Sequence, residues 1–331
     1  MPDIPIPQPT RSPAHQPTSY TLLRHGQSTW NKAAKIQGSS DFSELTDKGR
    51  EQARRAAEHL VSLGWSDAID AVWSSPLTRA RQTADIVLPS LAPSPSPAGG
   101  RHLQHQCKLN DALREIDLYS FQGIDKNAVP DELRDAYAVW KANPAEFEID
   151  GRRPVAELWD RAAVAWRDMR ADADASGTMS ALVVAHNATN QALLCTAMGL
   201  PPAMFRKVLQ SNAAVSRVTF SNDKSDAVVV QCINRAPESV LSAVEKREEG
   251  ELLIVSCGEL RLDVSTRETA FGPRATIVEA DAATCDTIVR ERLRVTRSDV
   301  TFDSEEGGLT VFSGDCLTAF NVRFEPHRFS R

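Results

Sequence analysis

At 331 residues the chain exceeds the usual size of a single domain, and its 41% hydrophobic and 25% charged content is the balance of a protein with a packed core, which excludes wholesale disorder, a coiled coil and a fibre. A formal charge of −6 supplies no long-range pull toward phosphate backbones, and no apolar run approaches the roughly 20 residues of a bilayer span, so neither nucleic acid nor a membrane is an expected partner. The six cysteines, Cys107, Cys195, Cys232, Cys257, Cys285 and Cys316, form no C-x-x-C pair; free thiols are expected, with no metal site and no cofactor.

Residues 1–18 hold six prolines and few large apolar groups, so they read as a tail that cannot bury enough surface to order itself. The first apolar run, in YTLLRHGQSTWN at 20–31, predicts a strand over 20–23 that delivers Arg24, His25 and Gly26 at its end. In α/β sheets the carboxyl edge is where ligands bind, and a glycine there lets the backbone approach one closely. Thr46 is a plausible N-cap for a helix whose Ala53, Ala56, Ala57 and Leu60 recur at helical spacing and whose stop is Gly64.

A second strand over 69–73 runs into AVWSSPLTRARQTA, where Ser75-Pro76 starts a helix with Arg79 in its first turn. A cation there opposes the helix dipole, and an anion between them would resolve the conflict; Arg81 is expected on a solvated face. The stretch PSLAPSPSPAGGR at 89–101 predicts a surface loop. LREIDLYSFQG then offers two acids, Glu115 and Asp117, either of which suits a proton donor to a poor leaving group.

The segment 125–154 looks like an insertion and carries Lys126, Arg134, Lys141, Arg152 and Arg153, with Arg152 and Arg153 the first candidates to meet a substrate carboxylate. Pro154 opens a long helix with Val155, Leu158, Trp159, Ala162, Trp166 and Met169 on one stripe, its tryptophans expected in the core. ALVVAHN at 181–187 repeats the first arrangement, delivering His186 at the end of a buried strand before another helix. One such histidine is usually structural, whereas two at the same address point to chemistry. Asn187 tolerates a positive φ and offers an amide to an anion. Strands over 216–220 and 227–233 complete an alternation that predicts a layered α/β domain.

The four motifs LLRHGQSTWN, SPLTRARQTA, LREIDLYSFQG and VVAHNATNQALL, in this order over about 19–235, resemble the histidine phosphatase superfamily, in its phosphoglycerate-mutase-like branch. KIQGSSDFSELT and FEIDGRRPVAELW are further similar to the plant and algal 2-carboxy-D-arabinitol-1-phosphatases. The resemblance implies a three-layer α/β/α sandwich and a phosphatase that removes phosphate from a carboxylated sugar inhibiting Rubisco, in the chloroplast stroma. It makes His25 the nucleophile that becomes phosphohistidine, places Arg24, Arg79 and His186 around the transferring group, and makes Glu115 the proton donor. Asn31, Gln37 and Asn187 become phosphate or substrate contacts. Many relatives have glycine where Asn187 stands. A broad small-molecule phosphatase, a phosphoglycerate mutase and a phosphate-sensing partner protein are the other readings.

From residue 236 a smaller α+β extension is expected, with no chemistry assigned. ELLIVSCGEL at 251–260 resembles 20–26 with Ser256, Cys257 and Gly258 in place of Arg24, His25 and Gly26, as in a degenerate partial repeat. A C-x5-R phosphatase loop is excluded, because Asp263 stands where its arginine belongs. LTVFSGDCLTAFNVRF at 309–324 reads as a β-hairpin.

Overall fold

The computed structural model describes residues 17–91, 107–208, 210–221 and 228–235, and beyond them the backbone of strands at 252–257, 275–280, 299–301, 308–313, 316–319 and 322–325. The expected tail up to residue 16 and most of the proline-rich loop lie outside the described residues. Thr18, read from sequence as the end of the tail, is instead the buried first residue of a strand.

Six strands make the body of the sheet: β1 Thr18–Arg24, β2 Ala71–Ser74, β3 Lys108–Leu109, β4 Ser180–Ala185, β5 Val215–Phe220 and β6 Val228–Arg235. They lie in the order β3-β2-β4-β1-β5-β6. β1 to β4 are mutually parallel where they pair, and β5 and β6 join antiparallel. The C-terminal strands are β7 Leu252–Cys257, β8 Ala275–Ala280, β9 Asp299–Thr301, β10 Gly308–Ser313, β11 Cys316–Ala319 and β12 Val322–Glu325. β12 and β9 extend the main sheet beyond β6, while β11-β10-β7-β8 form a second sheet in which β10 and β11 are the antiparallel hairpin.

Six helices complete the described chain: α1 Thr29–Lys32, α2 Asp47–Ser62, α3 Thr78–Val87, α4 Arg134–Ala142, α5 Pro154–Ser176 and α6 Asn187–Ala197. Alternation along β4 shows how they are layered, since successive side chains of a strand face opposite sides. Ala181, Val183 and Ala185 pack with α5 and α6 side chains such as Leu158, Trp166 and Leu193. Leu182 and Val184 pack with Ala56, Leu60, Ala80 and Ala84 of α2 and α3. The result is a three-layer α/β/α sandwich. Because helices cover both faces, every residue of β4 is buried.

The helix signals act locally as the residue chemistry demands. The Thr46 hydroxyl accepts from the Gly49 N–H at 3.0 Å at the start of α2, and Gly64 takes a left-handed φ of 65° just past its end. Trp159 and Trp166 are in the core, their indole N–H groups donating to the Leu200 and Leu193 carbonyls at 3.0 and 2.9 Å.

Gly26 departs from its sequence reading. A Cβ on Gly26 would lie 2.2 Å from the Gly49 carbonyl oxygen, and one on Gly49 would lie 2.0 Å from the Gln27 carbonyl oxygen. The close approach that Gly26 permits is therefore to the first turn of α2, not to a ligand. Both collisions are with backbone, which cannot rotate away. Gly49→Ala is expected to cost about 1–3 kcal/mol and lower the melting temperature by roughly 2–10 °C; a calorimetric melt indistinguishable from the parent protein would contradict this packing.

Candidate active site

Strand register assembles the site. Arg24 pairs with Ala185 and Ser74 with Val184, so the next residues, His25, His186 and Ser75, emerge together at the carboxyl edge. The two imidazole centroids are 5.2 Å apart. His25 is 2% exposed and His186 fully buried, although neither strand needs an imidazole for packing.

Hydrogen-bond accounting sets their tautomers. His25 Nδ1 lies 2.6 Å from the Gly26 carbonyl oxygen; a carbonyl only accepts, so Nδ1 carries the proton and Nε2 of the neutral ring keeps its lone pair. His186 Nε2 lies 2.7 Å from Ser75 Oγ, which already accepts from the Leu77 N–H at 3.3 Å. The buried Ser75 hydroxyl has no other acceptor for its own proton among the described residues, so it donates to Nε2, which puts the His186 proton on Nδ1. Burial, followed by the charges of Arg79 and other neighbouring groups, holds both imidazoles well below the ordinary histidine range, so both are neutral near pH 7.

Two guanidinium groups stand beside them. Arg79, in the first turn of α3, is fully buried and donates to the Ser40 and Gly38 carbonyls, both at 2.9 Å. Arg24 donates to the Gln210 carbonyl at 2.6 Å. Loss of water lowers both to about 10 in spite of the attraction of Glu115, so both remain charged. Arg24 Nε, Arg79 Nε and His186 Nδ1 are buried and have no hydrogen-bond partner among the described residues. An unsatisfied buried donor costs about 1–3 kcal/mol, and an anion in the cavity would offer acceptors to the two guanidinium groups that line it.

Glu115 decides between the two acids of its motif, because it lines the cavity at His25 and Asp117 does not. Its Oε1 accepts from the Ile116 and Thr189 N–H groups and the Thr189 hydroxyl at 2.9, 3.1 and 3.2 Å, whereas among the described residues Oε2 accepts from the Ala188 N–H alone, at 3.2 Å. Oε2 thus has capacity left to carry a proton.

The cavity has a volume of about 380 Å³. Arg24, His25, Asn31, Gln37, Arg79, Glu115 and Asn187 line it, whereas His186 is fully buried and is not part of its lining. Asn31 Oδ1 accepts from the Ser28 N–H in a capping box, and Gln37 Oε1 accepts from the Ser28 and Ser43 hydroxyls, which orients both amides. Asn187 is not at positive φ as its residue type allows; it is the first residue of α6, and its side-chain Oδ1 accepts from Gln191 Nε2 at 3.0 Å.

Arg152 and Arg153 do not line the cavity. Both are exposed and taken up by acids of their own neighbourhood, Arg152 by Glu157 at 2.7 Å and Arg153 by Glu146 and Glu148 at 2.8 and 3.5 Å. The cations in the outer wall are Lys35, Lys126, Lys141 and Arg206, with Tyr137, Trp140 and Phe205 between them. Arg206 and Ser75 were not legible as site residues from sequence: Arg206 has no motif, and Ser75 reads as the boundary of a helix.

The model of the histidine phosphatase superfamily (branch 1) matches residues 20–234. A probable 2-carboxy-D-arabinitol-1-phosphatase of Arabidopsis thaliana is 41% identical over 241 residues, covering 71% of this chain and 46% of that protein. A 2-carboxy-D-arabinitol-1-phosphatase of Triticum aestivum is 38% identical over 255 residues, covering 76% and 48%. The chain thus spans about half the length of these curated relatives. A solved mycobacterial structure, described as hydrolase 2, superposes with a TM-score of 0.56 at 21% identity over 71% of this chain and all of its own, which shows a shared fold.

The two neutral imidazoles make stability depend on pH. Their values in the folded protein lie below those in the unfolded chain, so below about pH 6.5 the unfolded state takes up more protons and stability falls as pH falls. In urea titrations between pH 7.5 and 5, His186→Gln is expected to lose stability less steeply than the parent, by up to about 1.4 kcal/mol per pH unit. Parallel slopes would mean that His186 is not buried as the neutral ring.

Proposed function

The chain belongs to the histidine phosphatase superfamily, branch 1, and on that footing we propose that it is a phosphoric monoester hydrolase acting through a phosphohistidine at His25. The observation that supports the reading is a neutral imidazole with a free Nε2 lone pair that shares a cavity with Arg24 and Arg79, whose buried Nε–H groups have no partner among the described residues, and that stands 5.2 Å from the His186 ring.

His25 Nε2 attacks phosphorus, a P–N bond forms and the P–O bond to the alcohol breaks. The Nδ1–H bond to the Gly26 carbonyl becomes charge-assisted as the ring turns cationic, which stabilises the intermediate. Arg24, Arg79 and His186 supply fixed donors where negative charge spreads over the equatorial oxygens. Glu115 gives its proton to the departing alcohol oxygen, then takes one from the water that breaks the P–N bond and frees phosphate.

For the natural ester, the carboxylated sugar phosphate 2-carboxy-D-arabinitol 1-phosphate is the reading supported by the two plant relatives and by a cavity lined with six cationic side chains and one carboxylate among the described residues. Hydrolysis of that ester would relieve inhibition of Rubisco, and the plant relatives support a plastid setting.

His25→Ala is expected to lower turnover by about 10⁴-fold or more with the fold retained; near-normal kcat in a variant with an unaltered circular dichroism spectrum would remove His25 as nucleophile. For Glu115→Gln, sugar phosphates should slow strongly, while nitrophenyl phosphate, whose leaving group needs no proton, recovers much of the loss. Equal damage to both substrates would exclude Glu115 as the acid.

A further inference from the structure

Glu115 has to give up a proton at one moment and take one at the next, so its carboxyl must keep its place in the cavity through a change of charge. The segment that carries it belongs to neither a strand nor an α-helix; it lies between the short turns Asp111–Leu113 and Tyr119–Phe121. Such a stretch has no hydrogen-bond ladder of its own, and misplacing a reacting group by about 1 Å costs on the order of 10²-fold in rate. The carboxyl is held from one direction by the N–H groups at the start of α6. The main chain beneath it is held by a different element.

Arg161 of α5 donates through one guanidinium nitrogen to the carbonyls of Arg114 and Glu115, both at 2.8 Å. The Arg114 carbonyl also accepts from the Thr189 hydroxyl at 2.8 Å, so α5 and α6 grip the same peptide. Loss of water holds the guanidinium below the ordinary arginine range, opposed by the attraction of Glu115 and then of Asp117, and it stays charged. Among the described residues its bonds run to main-chain oxygens and none to a carboxylate, while its Nε is buried without a partner. A side chain that only ties down a loop needs no charge, and drying one is unfavourable. Here the charge has a use: attraction from behind the main chain steadies the carboxylate left once Glu115 has given its proton, and it does so without occupying Oε2. A direct ion pair would take up the oxygen that must exchange the proton.

We propose that Arg161 is a positioning residue for Glu115, fixing the main chain of the general acid from α5 and steadying its ionised form without touching substrate. The role rests on the phosphatase reading above and accounts for how the acid of that reaction keeps its place. Arg161 is not among the residues that line the cavity, so it acts on the proton-transfer step and leaves binding of the ester to other groups.

The test compares the full chain with Arg161→Met and Arg161→Lys on phenyl phosphate and nitrophenyl phosphate, esters of similar shape whose leaving groups differ in their need for a proton. In Arg161→Met, kcat on phenyl phosphate should fall about 10- to 100-fold and kcat on nitrophenyl phosphate much less, by under about threefold, with KM for both within about twofold of the parent. Arg161→Lys keeps the charge and should recover part of the loss. Combined with Glu115→Gln, Arg161→Met should slow phenyl phosphate by no more than about twofold beyond Glu115→Gln alone, because the acid it places is already gone. Equal damage to both esters, a loss confined to KM, full multiplication of the two single losses in the double variant, or no loss at all would each overturn the role. If Arg161→Met folds poorly, Arg161→Lys decides by the same comparison, since a flexible ammonium does not hold two carbonyls as a planar guanidinium does: a loss on phenyl phosphate at least about threefold larger than on nitrophenyl phosphate supports the role, and a smaller difference overturns it. A parent that hydrolyses both esters, with no such difference in any Arg161 variant, sinks the positioning role alone, whereas a parent that hydrolyses neither sinks the phosphatase reading with it.

Discussion

The parallel pairing that sets Arg24 opposite Ala185 and Ser74 opposite Val184 is the constraint from which the rest of the site follows. It brings three strand ends to one level, so that two imidazoles and the hydroxyl that orients one of them meet without any long-range adjustment. Strand periodicity makes the arrangement unforgiving, because a slip of one residue would turn every side chain of β1 to the opposite face. Burial on both faces of β4 resists such a slip, since Leu182 and Val184 belong to one hydrophobic layer and Val183 to the other.

Around that junction the protein keeps cations dry without pairing each to an acid. Arg79 and Arg24 are held by backbone carbonyls from the 38–40 loop and Gln210, which satisfy some donors but cancel no charge. Desolvation of two guanidinium charges that share the attraction of Glu115 is expensive, and here it coincides with donors on the same side chains that have no partner among the described residues. The expense is understandable where a phosphate supplies the missing charge and acceptors together. It also accounts for neutral histidines, since a proton added to either ring would join an already positive cluster.

The outer wall comes from a different part of the fold. α4 and the turns around it stand over the mouth, with Trp140 packed against Phe147 and Phe205, and this aromatic platform carries Arg206. The inner part of the cavity is thus built by strand ends and helix starts of the sheet, whereas its outer part is built by α4 and the segment that carries Arg206. Separation of this kind lets specificity vary without disturbing the chemistry.

Much of the sheet and the inner site was legible in the residues themselves. Short apolar runs, Thr46, Gly64 and Pro154 act over a few neighbours, so their effects survive any tertiary context, and a motif such as SPLTRARQTA carries its local geometry with it. What the chain order could not disclose are relations between distant segments. Whether Glu115 or Asp117 reaches the cavity depends on where α6 presents its N–H groups, and whether Gly26 faces a ligand or Gly49 depends on how α2 returns to β1. Arg152 and Arg153 look as available as Arg206 along the chain, yet nearby acids neutralise the first two while a left-handed turn brings the third to the cavity. Local propensity is written in consecutive residues, whereas desolvation and charge pairing arise only when the folded chain decides which groups share a space.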